Sequence, residues 1–366
     1  MRILIIASSV GETAPGKVFS AYIEKILEKY NSSQIDIITN DRNSIFNSQY
    51  VELKKIDMRL KKLSIGFLSF DLFDFLAARR MVGGIREKYD VVISLISLHH
   101  FFPLYLGFLL KKYNKVSKLI VYSVDAIPPP KGWGQPYMYQ KGLIRMIGRF
   151  FKLVDKVYFS NEVMLQYQLN ILNGCFKGEF GVLYTLPDIE PLFLPKKEKD
   201  EFVLLYTGGI YQARKVDQLL LAVQKLVLKG LNIKLKFVGT NPNSVDLNVL
   251  SPEVRSHIEF FGYTHDLIPF YEDADLLIDI DADIENDVFI SSKFFNYLMI
   301  NRKILCITRN NSPVMQFVLS QNIKQIFFSI NNSDKIFNKI YEIISERACE
   351  VDRGIDFNFI DHIQID

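Results

Sequence analysis

Residues 202–222 read FVLLYTGGIYQARKVDQLLLA. An apolar run of strand length ends at the pair Gly208–Gly209, a polar loop carries Arg214 and Lys215, and a helical pattern starts at Val216. Glycine lets the backbone approach an anion closely, and a helix start beside a cation suits a phosphate. The stretch also reads as a plain strand–turn–helix with a solvated basic pair. In both readings it joins a strand to a helix, and the recurrence of that joint along the chain decides the fold class.

Downstream the pattern continues. The helix closes at Gly230, and strands follow at 233–239 (IKLKFVG) and 257–262 (HIEFFG). A short helix at 267–274, a strand at 275–281 and a helix at 291–301 come next. A strand at 303–309, a helix at 312–320, a strand at 325–330 and a last helix at 333–348 complete this half. Upstream, RILIIAS (2–8) is a strand and GKVFSAYIEKILEKY (16–30) an amphipathic helix with Phe19, Ile23, Ile26 and Leu27 on one face. Strands at 35–40, 89–97, 118–125 and 155–161 alternate with helices at 105–113 and 162–172. Such alternation predicts parallel sheets covered on both faces. The stretch LYTLPDIEPLFLPKKEKDE (183–201) carries three prolines and then a charge run, which suits a linker. The expected fold is therefore α/β, with two doubly wound Rossmann-like domains over 1–190 and 191–366, the last helix packing back on the first. Ligands of such sheets bind at the carboxyl ends of the strands, which puts the expected site in a cleft between the two domains.

Composition narrows the classes. The chain has 366 residues, 49% hydrophobic and 23% charged, which excludes a mainly disordered protein. Three cysteines, Cys175, Cys306 and Cys349, are too few and too far apart for a disulfide framework or a zinc site. The start MRILIIASSVGETAPG reads as a first strand and loop rather than a signal peptide, and no uncharged apolar run spans a membrane. A net charge of +3 divides into +8 over 1–190 and −5 over 191–366. A nucleic-acid partner is not expected: the basic half has no recognisable motif, and the acidic half would repel phosphates.

Several clusters carry chemistry. Ser291, Ser292 and Lys293 sit at a helix start directly after a strand and an acidic loop, a second phosphate cradle or a simple helix cap. Asp279, Asp281 and Asp283 alternate just before it, as metal ligands do and as a solvated acidic loop also does. The loop VGETAPGKV (10–18), with Gly11 and Gly16, follows the first strand. Asp125 follows a strand and precedes a proline-rich loop, where it reads as a base on an acceptor hydroxyl or as a turn residue. His99 and His100 end another strand, and adjacent side chains diverge, so at most one serves a site. Over 50–80, Lys54, Lys55, Arg59, Lys61 and Lys62 interleave with Ile56, Met58, Leu60 and Leu63, and a Phe-rich stretch follows. That pattern suits docking on anionic lipid, or a helix packed on its own domain.

The order of phrases in the second half resembles the nucleotide-sugar domain of GT-B glycosyltransferases of the family 4 type, found among envelope-polysaccharide and lipid-linked glycan transferases. The phrases are YTGGIYQARKVDQLLLA, KFVG, EFFGYTHDLIPFYEDADLLI with Leu267, Tyr271, Ala274 and Asp275, and SSKFFNYLMINRKILCI. The resemblance covers about 120 residues and implies a GT-B fold, with an acceptor-binding first domain and a donor-binding second. It matches Lys215 to the lysine that contacts the diphosphate, with Lys293 beside it, and places Gly16, Gly208, Tyr263, Thr264, Ser291 and Ser292 around the donor. Gly209 stands where many members carry Arg, with Arg214 as its replacement. Asn296 stands at the second Glu of the family's Glu pair and Val288 at the first, with Glu285 or Asp287 as the nearest acids. Asp125 lies where relatives carry a His or Asp near the reacting sugar.

The implied function is metal-independent, retaining transfer of a sugar from a nucleotide-sugar to a hydroxyl of a glycan, with a lipid-linked acceptor. Asp125, Lys215 and Lys293 are the expected catalytic residues. No metal and no other cofactor is expected. The expected location is cytoplasmic, peripheral on the inner membrane face, with 50–80 against anionic lipid. The departures at Gly209, Val288 and Asn296 keep an alternative open, a catalytically degenerate subunit that serves as a scaffold. A sugar-nucleotide epimerase of the same fold is a further rival, and it lacks a clear catalytic set.

Overall fold

The computed structural model describes residues 1–346, except 12, 43, 54, 173, 175, 196–198 and 211–212. Lys54, Cys175 and Cys349 lie outside the described residues. The chain divides into two compact units, with the boundary between Asp188 and Ile189. The last helix, expected to pack back on the first domain, buries Ile336, Ile340 and Ile343 in the core of the second unit instead.

The first unit holds β1 (Ile3–Ala7), α1 (Ala14–Lys29), β2 (Ile35–Thr39), β3 (Gln49–Tyr50), α2 (Met58–Leu68), α3 (Leu72–Gly84), β4 (Tyr89–Ile96), α4 (Phe102–Lys112), β5 (Val116–Ser123), α5 (Tyr137–Phe150), β6 (Lys156–Phe159), α6 (Glu162–Leu172) and β7 (Glu179–Val182). Its seven strands run in the order β3-β2-β1-β4-β5-β6-β7, all parallel. β1 is buried at every position, as a strand covered on both faces should be. Phe19, Tyr22, Ile23 and Ile26 of α1 pack on Ile3, Ile5, Ile93 and Tyr122 from the sheet. Burying each such side chain contributes about 1.5–3 kcal/mol.

The second unit holds β8 (Phe202–Thr207), α7 (Asp217–Leu228), β9 (Ile233–Val238), α8 (Pro252–Arg255), β10 (Ile258–Phe261), α9 (Ile268–Asp273), β11 (Leu276–Ile280), α10 (Ser292–Leu298), β12 (Lys303–Ile307), α11 (Pro313–Ser320), β13 (Ile326–Ser329) and α12 (Ser333–Ser345). Its six strands run β10-β9-β8-β11-β12-β13, again parallel. Gly230 ends the α7 segment at φ 86°, the left-handed turn glycine adopts without strain. Leu219, Leu220, Val223 and Leu226 of α7 meet Ile336, Ile340 and Ile343 of α12 over one face of the sheet.

Each sheet reverses its strand order once, between β1 and β4 and between β8 and β11. Those two switch points are where such sheets open a crevice for ligands. The proline-rich stretch expected to be a linker is fastened to the second unit. Leu192 bridges to Ile300, and the buried Arg302 guanidinium donates to the carbonyls of Leu194, Pro195 and Ala274. No described helix is long and apolar enough to cross a membrane.

Candidate active site

At the switch point of the second unit, β8 ends in Gly208 with φ 94°, a conformation an L side chain resists. The Gly208 amide donates to Val238 at 2.8 Å, and Thr240 Oγ1 donates to its carbonyl at 2.6 Å, so the turn is pinned to the end of β9. A Cβ on Gly208 would lie 3.6 Å from Lys293 Cε. Lys293, in the first turn of α10, lays its ammonium 4.0 Å from the Tyr206 ring centroid and donates to the Tyr206 hydroxyl at 2.7 Å. Tyr206 in turn donates to the Gly209 carbonyl at 3.1 Å. A second hydroxyl, that of Tyr297, accepts the Thr207 amide at 2.8 Å and locks α10 to the end of β8.

Charges gather behind these groups. Arg214 is partly buried, and it acts on Tyr206, Asp279, Asp281 and Lys293, whereas Lys215 is exposed. Burial pulls the Lys293 ammonium down to about 7, Arg214 pulls the same way, and Asp279 and Asp281 oppose them. Burial raises Asp279, against the pull of Lys293 and Arg214. Burial and then the neighbouring Asp279 push Asp281 up to about 8, while the Thr308 hydroxyl donates to it at 2.7 Å. The solvated acidic loop expected over Asp279–Asp283 is therefore corrected: Asp279 and Asp281 are buried, and only Asp283 is exposed, paired with Arg309 at 3.1 Å. Asp279 and Asp281 act on each other near the end of β11, while Asp283 lies beyond the strand. Among the described residues no three or more His, Cys, Asp or Glu side chains are grouped to hold a metal.

The other donor candidates fall around the same strand ends. Ser291 is buried at the N-cap of α10 with no side-chain cap bond, its hydroxyl favouring the Asp279 carboxylate, while Ser292 is exposed. Capping is thus not what Ser291 does. Tyr263 is exposed after β10, with its ring 3.9 Å from where a Gly239 Cβ would stand, and Gly239 abuts Gly208. Thr264 uses its hydroxyl in a local turn that accepts the Asp266 amide at 3.1 Å. Asp287 accepts the Val288 amide at 2.9 Å, Val288 is buried, and Asn296 is partly buried on α10.

In the first unit Gly16 belongs to the first turn of α1 rather than to the loop before it. A Cβ there would meet the Gly11 carbonyl and Ser9 Oγ at 2.7 Å, so glycine allows the loop to fold onto the helix. Asp125 is neither a turn residue bonded to its own segment nor fully open. Its carboxylate accepts the Leu98 amide at 2.7 Å, which ties the end of β5 to the loop after β4. That loop holds His99 at φ 72°, with Nδ1 2.5 Å from the Tyr139 hydroxyl. Burial, and then Lys62, lower His99 to about 4. Tyr139 lies on α5, and the sequence signal that could have found this helix is the spacing of Tyr139, Leu143, Met146, Ile147 and Phe150 after the proline loop.

A family described as Glycosyl transferases group 1 matches residues 201–279. Solved structures resemble the whole chain at low identity. The lipopolysaccharide outer core galactosyltransferase WaaB shares 12% identity at a TM-score of 0.65, over 98% of this chain and 97% of that one. Sucrose-phosphate synthase from Thermosynechococcus elongatus shares 13% at 0.63, over 94% and 90%. HepE of Anabaena, solved with UDP and glucose, shares 11% at 0.60, over 94% and 90%. The sequence matches no curated protein. The two parallel sheets have the GT-B fold of these structures, and the Glycosyl transferases group 1 match, which runs from β8 to β11, supports a glycosyltransferase.

Proposed function

We propose that the chain moves a sugar from a nucleoside-diphosphate sugar to a hydroxyl of a glycan acceptor, with the donor diphosphate at the carboxyl ends of β8 and β11. The observation that carries this reading is the meeting of Lys293 and Arg214 beside Gly208 at the switch point. Cleaving the bond from sugar to diphosphate builds negative charge on the leaving oxygen. Fixed cations and backbone amides aimed at it are usually the largest catalytic term. Lys293 and Arg214 would supply the cations without a metal, with Lys215 at the rim. Tyr263 would carry the base, and Asn296 with Asp287 the ribose and sugar hydroxyls. A carboxylate whose pKa burial raises suits proton abstraction, so Asp125 is the proposed base on the acceptor hydroxyl. Retention of configuration follows the family resemblance.

The test is thermal stability against UDP, GDP, CDP and ADP and their sugars, with and without EDTA. A ligand at 100 times its dissociation constant should add about 2.7 kcal/mol. One diphosphate should shift melting, unaffected by EDTA. UDP comes first because HepE holds it. No shift with any nucleotide from folded protein would defeat the reading in favour of a degenerate scaffold.

A lipid-linked acceptor is the second part of the proposal, supported by the surface of α2, α3 and α5. Leu63 is 55% exposed, Phe67 69% and Tyr137 67%, with Leu60, Phe73, Leu76, Met138 and Ile144 also open. Arg59, Lys141, Arg145 and Arg149 are exposed among them. The only acid on the three helices, Asp74, is buried and paired with Lys61 at 3.1 Å. Lys61 therefore faces inward and is subtracted from the basic surface expected over 50–80. An apolar face rimmed by cations, with no exposed carboxylate on the helices themselves, fits an anionic bilayer.

A further inference from the structure

Asp279 is fully buried near the end of β11, in a strand that is otherwise apolar. Ile278 and Ile280 join the core under α7 and α12, so by strand alternation Asp279 faces the other side of the sheet, toward α10. Neither of its oxygens has a hydrogen bond of regular geometry, although the Ser291 hydroxyl and the Ile280 amide favour its charged form. A buried carboxylate in that state is costly unless opposite charge lies close. Lys293 and Arg214 provide it. Lys293 nevertheless directs its ammonium to the Tyr206 hydroxyl, on the β8 side, rather than onto the carboxylate.

We propose that Asp279 is a positioning residue for the donor diphosphate. Acting through Lys293, its carboxylate keeps that ammonium protonated and gathered beside Arg214 before the diphosphate arrives. This role rests on the reading of these strand ends as the donor site. The groups that face Lys293 are Tyr206 from β8, Arg214 from the loop before α7, and Asp279 and Asp281 from β11 and its loop, while Tyr297 and Ser291 at α10 act on Asp279. Asp287 acts on Asp281. Burial and Arg214 push the proton off Lys293, and the two carboxylates hold it on. Neutralising Asp279 removes one of the two holders, so Lys293 would lose its proton at a lower pH. A neutral amine offsets none of the diphosphate charge.

The experiment is calorimetric titration of the full chain with UDP and with GDP from pH 6 to 9. Wild type should itself bind more weakly as pH rises through about 7, where Lys293 loses its proton. In Asp279→Asn the same fall should come at lower pH, leaving binding within about twofold of wild type at pH 6 and about tenfold weaker than wild type at pH 8. The rise of donor KM with pH should begin at a lower pH in the variant than in wild type, with kcat changed less, and Asp279→Glu should restore the wild-type profile. If Asp279→Asn does not fold, Asp279→Leu removes the same charge from an apolar strand and should show the same pH-dependent loss. A loss that is equal at every pH, or no loss, overturns the role. Wild type that binds neither nucleotide overturns the donor-site reading and this role with it, a result distinct from a binding wild type and an unchanged variant.

Discussion

Arg214 and Lys215 are chain neighbours with different surroundings. One step along the loop turns Arg214 toward Tyr206 and Asp279 and leaves Lys215 in solvent. Arg214→Ala or Lys293→Ala is expected to remove a charge-assisted contact of about 1.5–3 kcal/mol, roughly 10- to 100-fold in nucleotide affinity, while Lys215→Ala changes it less. Titration of the three variants with UDP would decide it. The fold of the Gly208 turn depends on its φ of 94°. Gly208→Ala should cost about 1 kcal/mol of stability, because an L side chain resists that φ, while its Cβ would meet Lys293 Cε only at an ordinary 3.6 Å. His99 illustrates a pH effect. Its pKa is lowered in the folded state, so between its ordinary value and about 4 the unfolded chain binds a proton that the folded chain does not. Stability is therefore present above pH 6.5 and is lost as pH falls toward 4. His99→Asn, which tolerates the left-handed backbone, should flatten that part of the melting-temperature profile.

At the scale of elements, the first unit depends on a helix crossing that the sequence did not disclose. A Cβ on Gly142 of α5 would lie 2.0 Å from the Ile65 carbonyl of α2 and 2.9 Å from the Gly66 Cα. Two glycines thus let the helix backbones touch. Gly142→Ala cannot be absorbed by a rotamer change, since backbone must move. It should destabilise the protein by about 1–3 kcal/mol or more, measured by urea unfolding. Helix α5 carries a regular apolar stripe, with Tyr139, Leu143, Met146, Ile147 and Phe150 at helical spacing, but nothing in that stripe names α2 as the partner it packs on. The short edge strands β3 and β7 are hidden because two to four residues carry no periodicity. By contrast β1, β4, β5, β8, β11 and β12 were legible, since strands buried on both faces write themselves as continuous apolar runs.

At the scale of the molecule, the charge asymmetry of +8 against −5 acquires a location. The excess cations of the first unit include those that rim the open apolar surface of α2, α3 and α5. The chain should co-sediment with vesicles rich in phosphatidylglycerol, less with phosphatidylcholine, and the binding should weaken as salt rises. Phe67→Glu with Leu63→Glu should abolish it without changing the melting temperature by more than a few degrees, because both side chains are already exposed. Equal binding to neutral vesicles, or none to anionic ones, would rule out this docking surface.

Local sequence determined the α/β alternation, the strand-ending glycines and the residue types that could hold a phosphate. Those follow from period, turn chemistry and propensity, which act over a few neighbours. Only the tertiary structure decided which cation faces Asp279, which aspartates are buried and where α5 packs. Each of these depends on which distant segments meet: β8 beside β11 brings Gly208 to Lys293, and α2 across α5 brings Gly142 to Ile65. Burial and field are properties of that meeting, and so they are written in no single stretch of the chain.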